Sequence, residues 1–329
     1  MMTRHQKLVL SSSRMVLTVA LVTGLLFVVT IAPAAVGLNP LAQTLQITNT
    51  GQPHSIAGNP LFVTSNGASF SGKGKGTLVK FDISFPMIPI QREIVRGLDR
   101  PADAVCGADG QVYFVDWSRG KVYRVDRDGR KVTELATVNR PEGVTFGPDG
   151  NLYVSANDGI WRLRGGAGPA EQVASAYSGL EESNPRAGGL VFLTHGPFAG
   201  DLLAVDSAGN RVVRFPAPNF DRPVDFITKA LDDPIGVAVN SRGEVFVANF
   251  NSKKIQHYST EGAFLETLGA RIQLRPYRPI HLEFGPDDTL YVAEWGDYVG
   301  EGWIAHISTP AGELTLISTL VDAWGVGLC

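Results

Sequence analysis

Short apolar runs of five or six residues recur along the chain, each bounded by glycine, proline, asparagine or aspartate. In one copy, the run 141–146 is followed by the turn Gly147-Pro148-Asp149-Gly150 and then by the run 152–155. In such a turn proline presets φ, aspartate hydrogen-bonds the local backbone and glycine accepts a positive φ. Because β-branched and aromatic residues fill the flanking runs, the pattern predicts short β-strands joined by tight turns.

This pattern repeats around the chain at intervals of roughly 40 to 50 residues. Each unit holds four runs, and the first runs of successive copies begin at Pro101, Pro141, Gly189, Pro234 and Pro279. Four-stranded units at this period are typical of propeller blades. A two-helix repeat of the same period would need an apolar stripe about every 3.6 residues, but these runs are too short and too often interrupted by glycine.

The two ends of the repeat region complement each other. Residues 61–65, 77–83 and 92–95 match the second, third and fourth strands of a blade whose first strand is missing, and residues 323–328 align with the first strand at 234–239. We therefore predict an all-β, six-bladed propeller of four-stranded blades over residues 61–329. The C-terminal strand is expected to complete the N-terminal blade, which removes the free sheet edges at the closure.

The first 60 residues differ from the repeats in composition. Arg4, Lys7 and Arg14 precede an uncharged stretch at 15–36, and residues 37–60 are a polar linker. The segment 1–36 is either a signal peptide ending at Ala32-Pro33-Ala34 or a membrane anchor of about 20 residues. We expect an apolar helix here in both cases. Both also place the propeller outside the cytoplasm, either secreted or anchored through residues 15–36, because the basic end stays inside.

Charge argues against one class of partner. Of the 29 lysines and arginines, six precede Asp82, whereas all 32 acidic residues lie from Asp82 onward, so residues 82–329 carry a formal charge of −9 (23 − 32). Nucleic-acid binding depends on neutralising phosphates with cationic side chains. We therefore expect no nucleic-acid partner.

Binding sites in closed β folds gather at loop-built mouths. In a propeller, the loops that lead into the inner strands and the loops that join the second and third strands lie on one face, here called the loop face. The candidate ligand-binding residues at this mouth are Asp103, Glu142, Asn157, Arg186, Asn249, His281, Trp295 and Trp324. Trp117, Trp295 and Trp324 either form an aromatic floor for a ligand or fill gaps between blades. For His281, a hydrogen bond to a neighbouring loop is the favoured interpretation over lining the channel.

The repeat Pro-x-Gly-Val-x-Phe-Gly-Pro-Asp-Gly-Asn-Leu-Tyr-Val at 141–154 resembles that of the NHL-repeat and gluconolactonase (regucalcin-like) superfamily of six-bladed propellers. The resemblance covers roughly residues 61–329 and implies an architecture rather than an activity, because the superfamily includes hydrolases, other enzymes and binding modules. Its lactonase members hold calcium or zinc at the channel mouth. They use a Glu, an Asn and an Asp at the position directly after the proline that opens the inner strand.

In this chain that position holds one oxygen ligand, Glu142. The other blades have Ala102, Gly188, Ile235, Ile280 and Trp324 there. Calcium takes about six to eight oxygen ligands. Asp103, one residue further along, is expected to point to the other face of its strand. We therefore expect no cofactor, with Ca²⁺ or Zn²⁺ at Glu142 as the alternative.

These observations favour an extracytoplasmic binding or interaction module that takes a small organic ligand or an envelope protein at the channel face. The alternative is a metal-dependent hydrolase of the lactonase or esterase type that uses Glu142. The histidines His195, His257 and His306 lack metal-ligand spacing, and no repeat position brings a nucleophile and a base together.

The two cysteines end neighbouring inner strands. Cys106 ends the inner strand of the second blade, and Cys329 follows that of the first, one repeat position further along. An exported protein meets an oxidising compartment, where two such cysteines can pair if their Cα atoms come within about 7 Å. A Cys106–Cys329 disulfide and two unpaired thiols are both consistent with the sequence.

Overall fold

The computed structural model describes residues 60–66, 74–83, 90–175, 187–268, 278–295, 302–308, 313–319 and 323–329, together with four short N-terminal strands. The chain divides into two units, Met1–Ser55 and Ile56–Cys329. In the first unit, Gln6–Val9 pairs with Val16–Val19, and Leu21–Val22 pairs with Leu25–Leu26. The predicted apolar helix and the linker fall for the most part outside the described residues and stay predictions. In the part of the chain that is described, no helix is long and apolar enough to span a membrane.

The strands of the second unit form six antiparallel sheets of four strands each, which confirms the predicted six-bladed propeller. Going outward from the channel, blade 1 is Ala323–Leu328, Leu61–Ser65, Gly76–Asp82 and Ile90–Leu98, and blade 2 is Pro101–Cys106, Val112–Asp116, Lys121–Val125 and Val132–Thr137. Blade 3 is Pro141–Phe146, Leu152–Ala156, Gly159–Leu163 and Ala170–Ser175, and blade 4 is Ala187–Phe192, Leu202–Asp206, Arg211–Phe215 and Val224–Ile227. Blade 5 is Pro234–Val239, Val245–Asn249, Lys254–Tyr258 and Phe264–Leu268, and blade 6 is Arg278–Phe284, Leu290–Trp295, Gly302–Ser308 and Glu313–Thr319. A 3₁₀ turn, Arg164–Gly166, interrupts blade 3.

The ring closes between the two ends of the propeller, as predicted. The C-terminal strand Ala323–Leu328 pairs antiparallel with Leu61–Ser65, with Val326 opposite Val63 and Leu328 opposite Leu61. The Cys329 amide donates a further hydrogen bond of 3.0 Å to the Pro60 carbonyl. Backbone pairing of the chain ends therefore completes blade 1.

Burial explains why the runs are continuously apolar rather than alternating. In blades 1 to 5 the second strand is buried at every position, because it lies between two strands of its own sheet and between two neighbouring blades. A strand covered on both faces needs apolar residues at every position. The peripheral fourth strands are more exposed, as Val132–Thr137 shows.

The Asp-Gly turns that join first and second strands are built as predicted. Asp149 accepts hydrogen bonds from the Asn151 amide at 3.1 Å and from the Tyr153 hydroxyl at 2.8 Å, and Gly150 has φ of 74°. Only glycine adopts that φ without steric cost. These turns lie on the face opposite the loop face, so they stabilise the blades without contributing to the candidate site.

Candidate functional site

A β-bulge interrupts each inner strand shortly after its first residue, at the loop face. Pro141 is opposite Ala156 and Gly143 is opposite Ser155, so Glu142 is the extra, bulged residue of this strand. The other blades show the same register shift. A bulge bends the strand and re-aims its side chains. The strand alternation that we used for Asp103 is therefore broken at the channel mouth.

Apolar side chains at the bulge position fill the channel mouth. Ala102, Ile235, Ile280 and Trp324 are each at most 6% exposed and belong to one packed cluster. Glu142 is the carboxylate at this position, and its Oε1 accepts a 3.1 Å hydrogen bond from the Trp324 indole. The mouth is therefore an apolar plug with one carboxylate held against it.

Below the plug, Asp103 and His281 form a pair across the channel. His281 Nε2 lies 3.1 Å from Asp103 Oδ1, and Asp103 Oδ2 accepts a 2.8 Å hydrogen bond from the Val144 amide. His281 Nδ1 faces the Val326 backbone, 3.1 Å from its carbonyl oxygen and 3.3 Å from its amide nitrogen. Nδ1 can donate to the Val326 carbonyl when this nitrogen carries a proton, or accept from the Val326 amide when it does not. The pair thus links the inner strands of blades 1, 2, 3 and 6.

Three titratable side chains in or near the channel carry shifted pKa values. Burial alone would lower the pKa of His281, but the charge and hydrogen bond of Asp103 outweigh it and raise that pKa. Burial raises the pKa of Glu283 to about 7, with His281 opposing and Asp103 adding to the shift. Both side chains border a cavity of about 130 Å³ inside the channel. Burial also raises the pKa of Glu294 to about 7, and this residue is 4% exposed.

Stacked aromatic rings and guanidinium groups extend outward from the plug. The Arg100 Cζ lies 4.9 Å from the centroid of the Trp324 ring and 4.4 Å from that of Trp117. The Arg140 Cζ lies 4.9 Å from the Trp117 centroid. The order Trp324, Arg100, Trp117, Arg140 is called the Trp–Arg stack below.

A second stack lies on the opposite side of the mouth. The Trp295 and Phe250 rings are stacked with centroids 5.5 Å apart, and the Arg278 Cζ lies 4.7 Å from the Phe250 centroid. Cation–π contacts of this kind are worth about 0.5 to 2 kcal/mol each and fix the orientation of the guanidinium plane. Both stacks therefore present oriented arginines around an apolar centre.

The structure separates the sequence-predicted site residues into three groups. Glu142, Trp295 and Trp324 lie at the mouth, whereas Asp103 and His281 lie together in the channel below it. Asn157 and Asn249 are buried, and the Asn249 side chain donates a 2.8 Å hydrogen bond to the Ala230 carbonyl, which is a structural role. Arg186 lies outside the described residues. Sequence reasoning missed Arg100, Arg140 and Glu283, although three arginines of the face share the position directly before the inner strand or at its start.

The residues at the mouth do not fit the metal site of the lactonases. The position that would supply oxygen ligands holds apolar side chains in blades 1, 2, 5 and 6, and Glu142 is bonded to Trp324. Within the described ranges, no group of three or more His, Cys, Asp or Glu residues is arranged to hold a metal ion.

The two cysteines lie at the far end of the inner strands, on the opposite face. Cys106 and Cys329 form a disulfide with Cα atoms 5.1 Å apart and a sequence separation of 223 residues. This bond ties the closing strand of blade 1 to the inner strand of blade 2. The closure is thus covalent as well as hydrogen-bonded.

Comparison with known proteins agrees with this architecture. A family model described as the NHL repeat matches residues 231–258, which span parts of blade 5. A sequence search of curated proteins gives no match.

Solved structures with this NHL-like fold are similar in shape but distant in sequence. A chain of a nidogen–laminin complex has a TM-score of 0.64 at 14% identity, covering 82% of this chain and 98% of that one. A candidate gluconolactonase has a TM-score of 0.56 at 16% identity, covering 71% and 83%. Virginiamycin B lyase from Staphylococcus aureus has a TM-score of 0.52 at 18% identity, covering 78% and 86%. At these identities the likeness shows the fold alone.

Proposed function

We propose that this chain is an extracytoplasmic binding module of the NHL-propeller type and that its loop face contacts the ligand. The observation that carries the proposal is the apolar plug of Ala102, Ile235, Ile280 and Trp324. A substrate cannot reach the channel through a mouth that is filled by packed side chains. Ligand contacts are then made on the surface around the plug, where the two stacks expose aromatic edges and guanidinium groups.

The distribution of tryptophan supports the loop face as the contact surface. All five tryptophans of the chain lie at or near strand ends on this face: Trp117, Trp161, Trp295, Trp303 and Trp324. Tryptophan is enriched in binding hot spots, since it offers a large apolar area and one hydrogen-bond donor. The nidogen relative, solved in complex with laminin, shows that a propeller of this shape occurs in a protein complex.

The extracytoplasmic location rests on the N-terminal sequence and on the cysteine pair. Basic residues precede the uncharged stretch 15–36, as in exported or anchored chains. Disulfides persist in oxidising compartments, and the Cys106–Cys329 bond is of that kind. A fusion of alkaline phosphatase to the C-terminus tests the location, because this enzyme is active only outside the cytoplasm. An inactive fusion in cells that make the full chain contradicts it.

A titration of the purified full chain tests the binding function. Fractionated envelope polymers and envelope proteins are added while tryptophan emission is followed. We expect a saturable change in emission, because a ligand on the loop face covers several indoles at once.

Chelation tests the competing hydrolase function. We expect EDTA to leave the melting temperature nearly unchanged, since the described residues of the mouth offer Glu142 and no further ligand set that would link metal binding to folding. A fall of several degrees that calcium restores and Glu142→Gln abolishes, together with turnover of lactone or ester substrates, would replace the binding module by a hydrolase.

A further inference from the structure

The residue directly before the inner strand, or at its start, is an arginine in several blades. Arg100 precedes Pro101, Arg140 precedes Pro141, and Arg278 precedes Pro279. All three guanidinium groups lie over aromatic rings on the loop face. This is unexpected for a propeller with an acidic net charge, and it gives one face an ordered set of cations.

Arg140 differs in its surroundings from Arg119 and Arg211, two other arginines of this face. Its side chain is exposed, and among the described residues its recorded contact is the Trp117 ring, with no carboxylate partner. Arg119, by contrast, is 2.9 Å from Asp99, and Arg211 is 2.9 Å from Asp206. Arg140 therefore presents a full positive charge to solvent in a fixed position.

The backbone at Arg140 is held in an unfavourable conformation. Its φ is 49°, in the left-handed region that costs a non-glycine residue roughly 1 kcal/mol or more. The residue before the inner strand of blade 5, Asp233, has a similar φ of 52°. The connection that leads into the inner strand thus sets this backbone conformation, and asparagine or glycine would fit it better than arginine. An arginine at this position is therefore explained by its side chain and not by its backbone.

A groove of about 510 Å³ opens beside Arg140, between blades 2 and 3. Trp117 and Trp161 line it, and Asp158 Oδ1 accepts a 2.9 Å hydrogen bond from the Trp161 indole, which fixes that ring. Ligand sites for small molecules commonly measure about 300 to 1,000 Å³ and combine apolar walls with a few placed polar groups. The groove has this composition, with the exposed guanidinium group of Arg140 at its edge.

We propose that this groove binds a small organic anion, namely a ring-shaped apolar body that carries one carboxylate or phosphate group. The anionic group pairs with the guanidinium fork of Arg140, whose planar donors match two oxygens of either group. The ring lies against the indoles of Trp117 and Trp161. This assignment rests on the proposed function in one respect, because the groove belongs to the loop face.

Probe molecules that differ in charge test the assignment on the unmodified full chain. Benzoate and phenyl phosphate supply the two anionic groups, and benzamide is the neutral molecule of matching shape. We expect saturable binding of at least one anion by calorimetry, with benzamide at least about tenfold weaker. The comparison of benzoate with phenyl phosphate identifies the preferred anion. Equal binding of benzamide and both anions, or no binding of either anion, would overturn the proposal.

Variants locate the site. Arg140→Asn removes the charge but suits the left-handed backbone, so the variant is expected to fold. It should weaken anion binding at least about tenfold, whereas Arg140→Lys should recover part of the loss because it keeps the charge without the planar fork. The matched control is Arg130→Asn, since Arg130 is an exposed arginine on the opposite face, in the turn between the third and fourth strands of blade 2. Equal affinity of Arg140→Asn and the unmodified chain would contradict the assignment.

The outcomes separate this inference from the proposed function. If Arg140→Asn binds the anions normally while envelope polymers still change the tryptophan emission, the groove assignment fails and the binding module stands. If the anions bind through Arg140 but the chain also hydrolyses lactones in a calcium-dependent way, the groove assignment stands and the binding-module function fails.

Discussion

Glu294 is a buried carboxyl group whose ionisation is expected to destabilise the fold. It is the penultimate residue of the second strand of blade 6, is 4% exposed, and its Oε1 has no hydrogen-bond partner among the described residues. The equivalent residue in blade 2, Asp116, accepts hydrogen bonds from the Asp99 and Arg100 amides. In the described part of the chain no backbone amide donates to Glu294 Oε1 in this way, so replacing Glu294 with neutral glutamine tests the cost of its charge.

The size of this destabilisation follows from the pKa shift of Glu294. Burial raises the pKa of Glu294 from 4.5 to about 7. One pKa unit is worth about 1.4 kcal/mol, so the ionised form destabilises the folded state by up to about 3 kcal/mol. Because the folded-state pKa lies above the unfolded-state value, the native chain binds more protons between these two values. The stability linked to the protonated group is therefore complete below about pH 4.5 and is lost as pH rises through about 7.

Glu294→Gln should therefore stabilise the protein at pH 8 and have little effect at pH 4.5. The expected gain at pH 8 is about 3 kcal/mol at most, or a rise in melting temperature on the order of 5 to 10 °C. Thermal and urea unfolding of both chains across this pH range measures it, with Glu261→Gln as the exposed control. A change of the same size at both pH values would show that packing, and not ionisation, is responsible. The stability of the Glu294→Gln variant stays partly pH-dependent, because the pKa of Glu283 is also about 7.

Three further predictions concern closure, the disulfide and the channel. Deleting residues 324–329 should unfold or aggregate the protein, because the deletion opens blade 1 and exposes sheet edges. The control Cys329→Ser should remain a folded monomer by light scattering. A truncated chain that stays monomeric with an unchanged melting temperature would contradict the closure. Thiol titration of the purified full chain under denaturing, non-reducing conditions should find no free thiol, and two thiols per chain would exclude the Cys106–Cys329 bond. Asp103→Asn should lower the pKa of His281, because the substitution removes the negative charge that raises this pKa. NMR titration of the imidazole measures the change, and an unchanged pKa would show that another group raises it.

The repeat was predictable because the same physical requirement recurs in each blade. Second strands such as Leu152–Ala156 are covered on both faces, so their apolar runs are visible without an alignment. The turn residues Asp149 and Gly150 have local roles that depend only on neighbouring residues. The closing strand was identifiable because Ala323–Leu328 repeats the pattern of Pro234–Val239.

The channel pair was not predictable, because it depends on strand register and on contacts between distant blades. Asp103 and His281 are separated by 178 positions and meet only because both follow a bulge and face the same channel. A simple alternation of side chains places Asp103 on the other face of its strand. Register is set by pairing across the sheet, so single-strand patterns do not contain it. The Trp–Arg stack was missed for a related reason, since it joins residues of three blades.

The bulge explains how one repeat can support either a metal site or a closed mouth. The bulged residue makes no cross-strand pair, so its identity is not constrained by the ladder of hydrogen bonds. At this position Ile235, Ile280 and Trp324 belong to the apolar cluster that fills the mouth. The cationic groups of the loop face lie further out, in arginines at the start of the inner strands. A closed mouth surrounded by arginines thus depends on the residues at two adjacent repeat positions of one and the same fold.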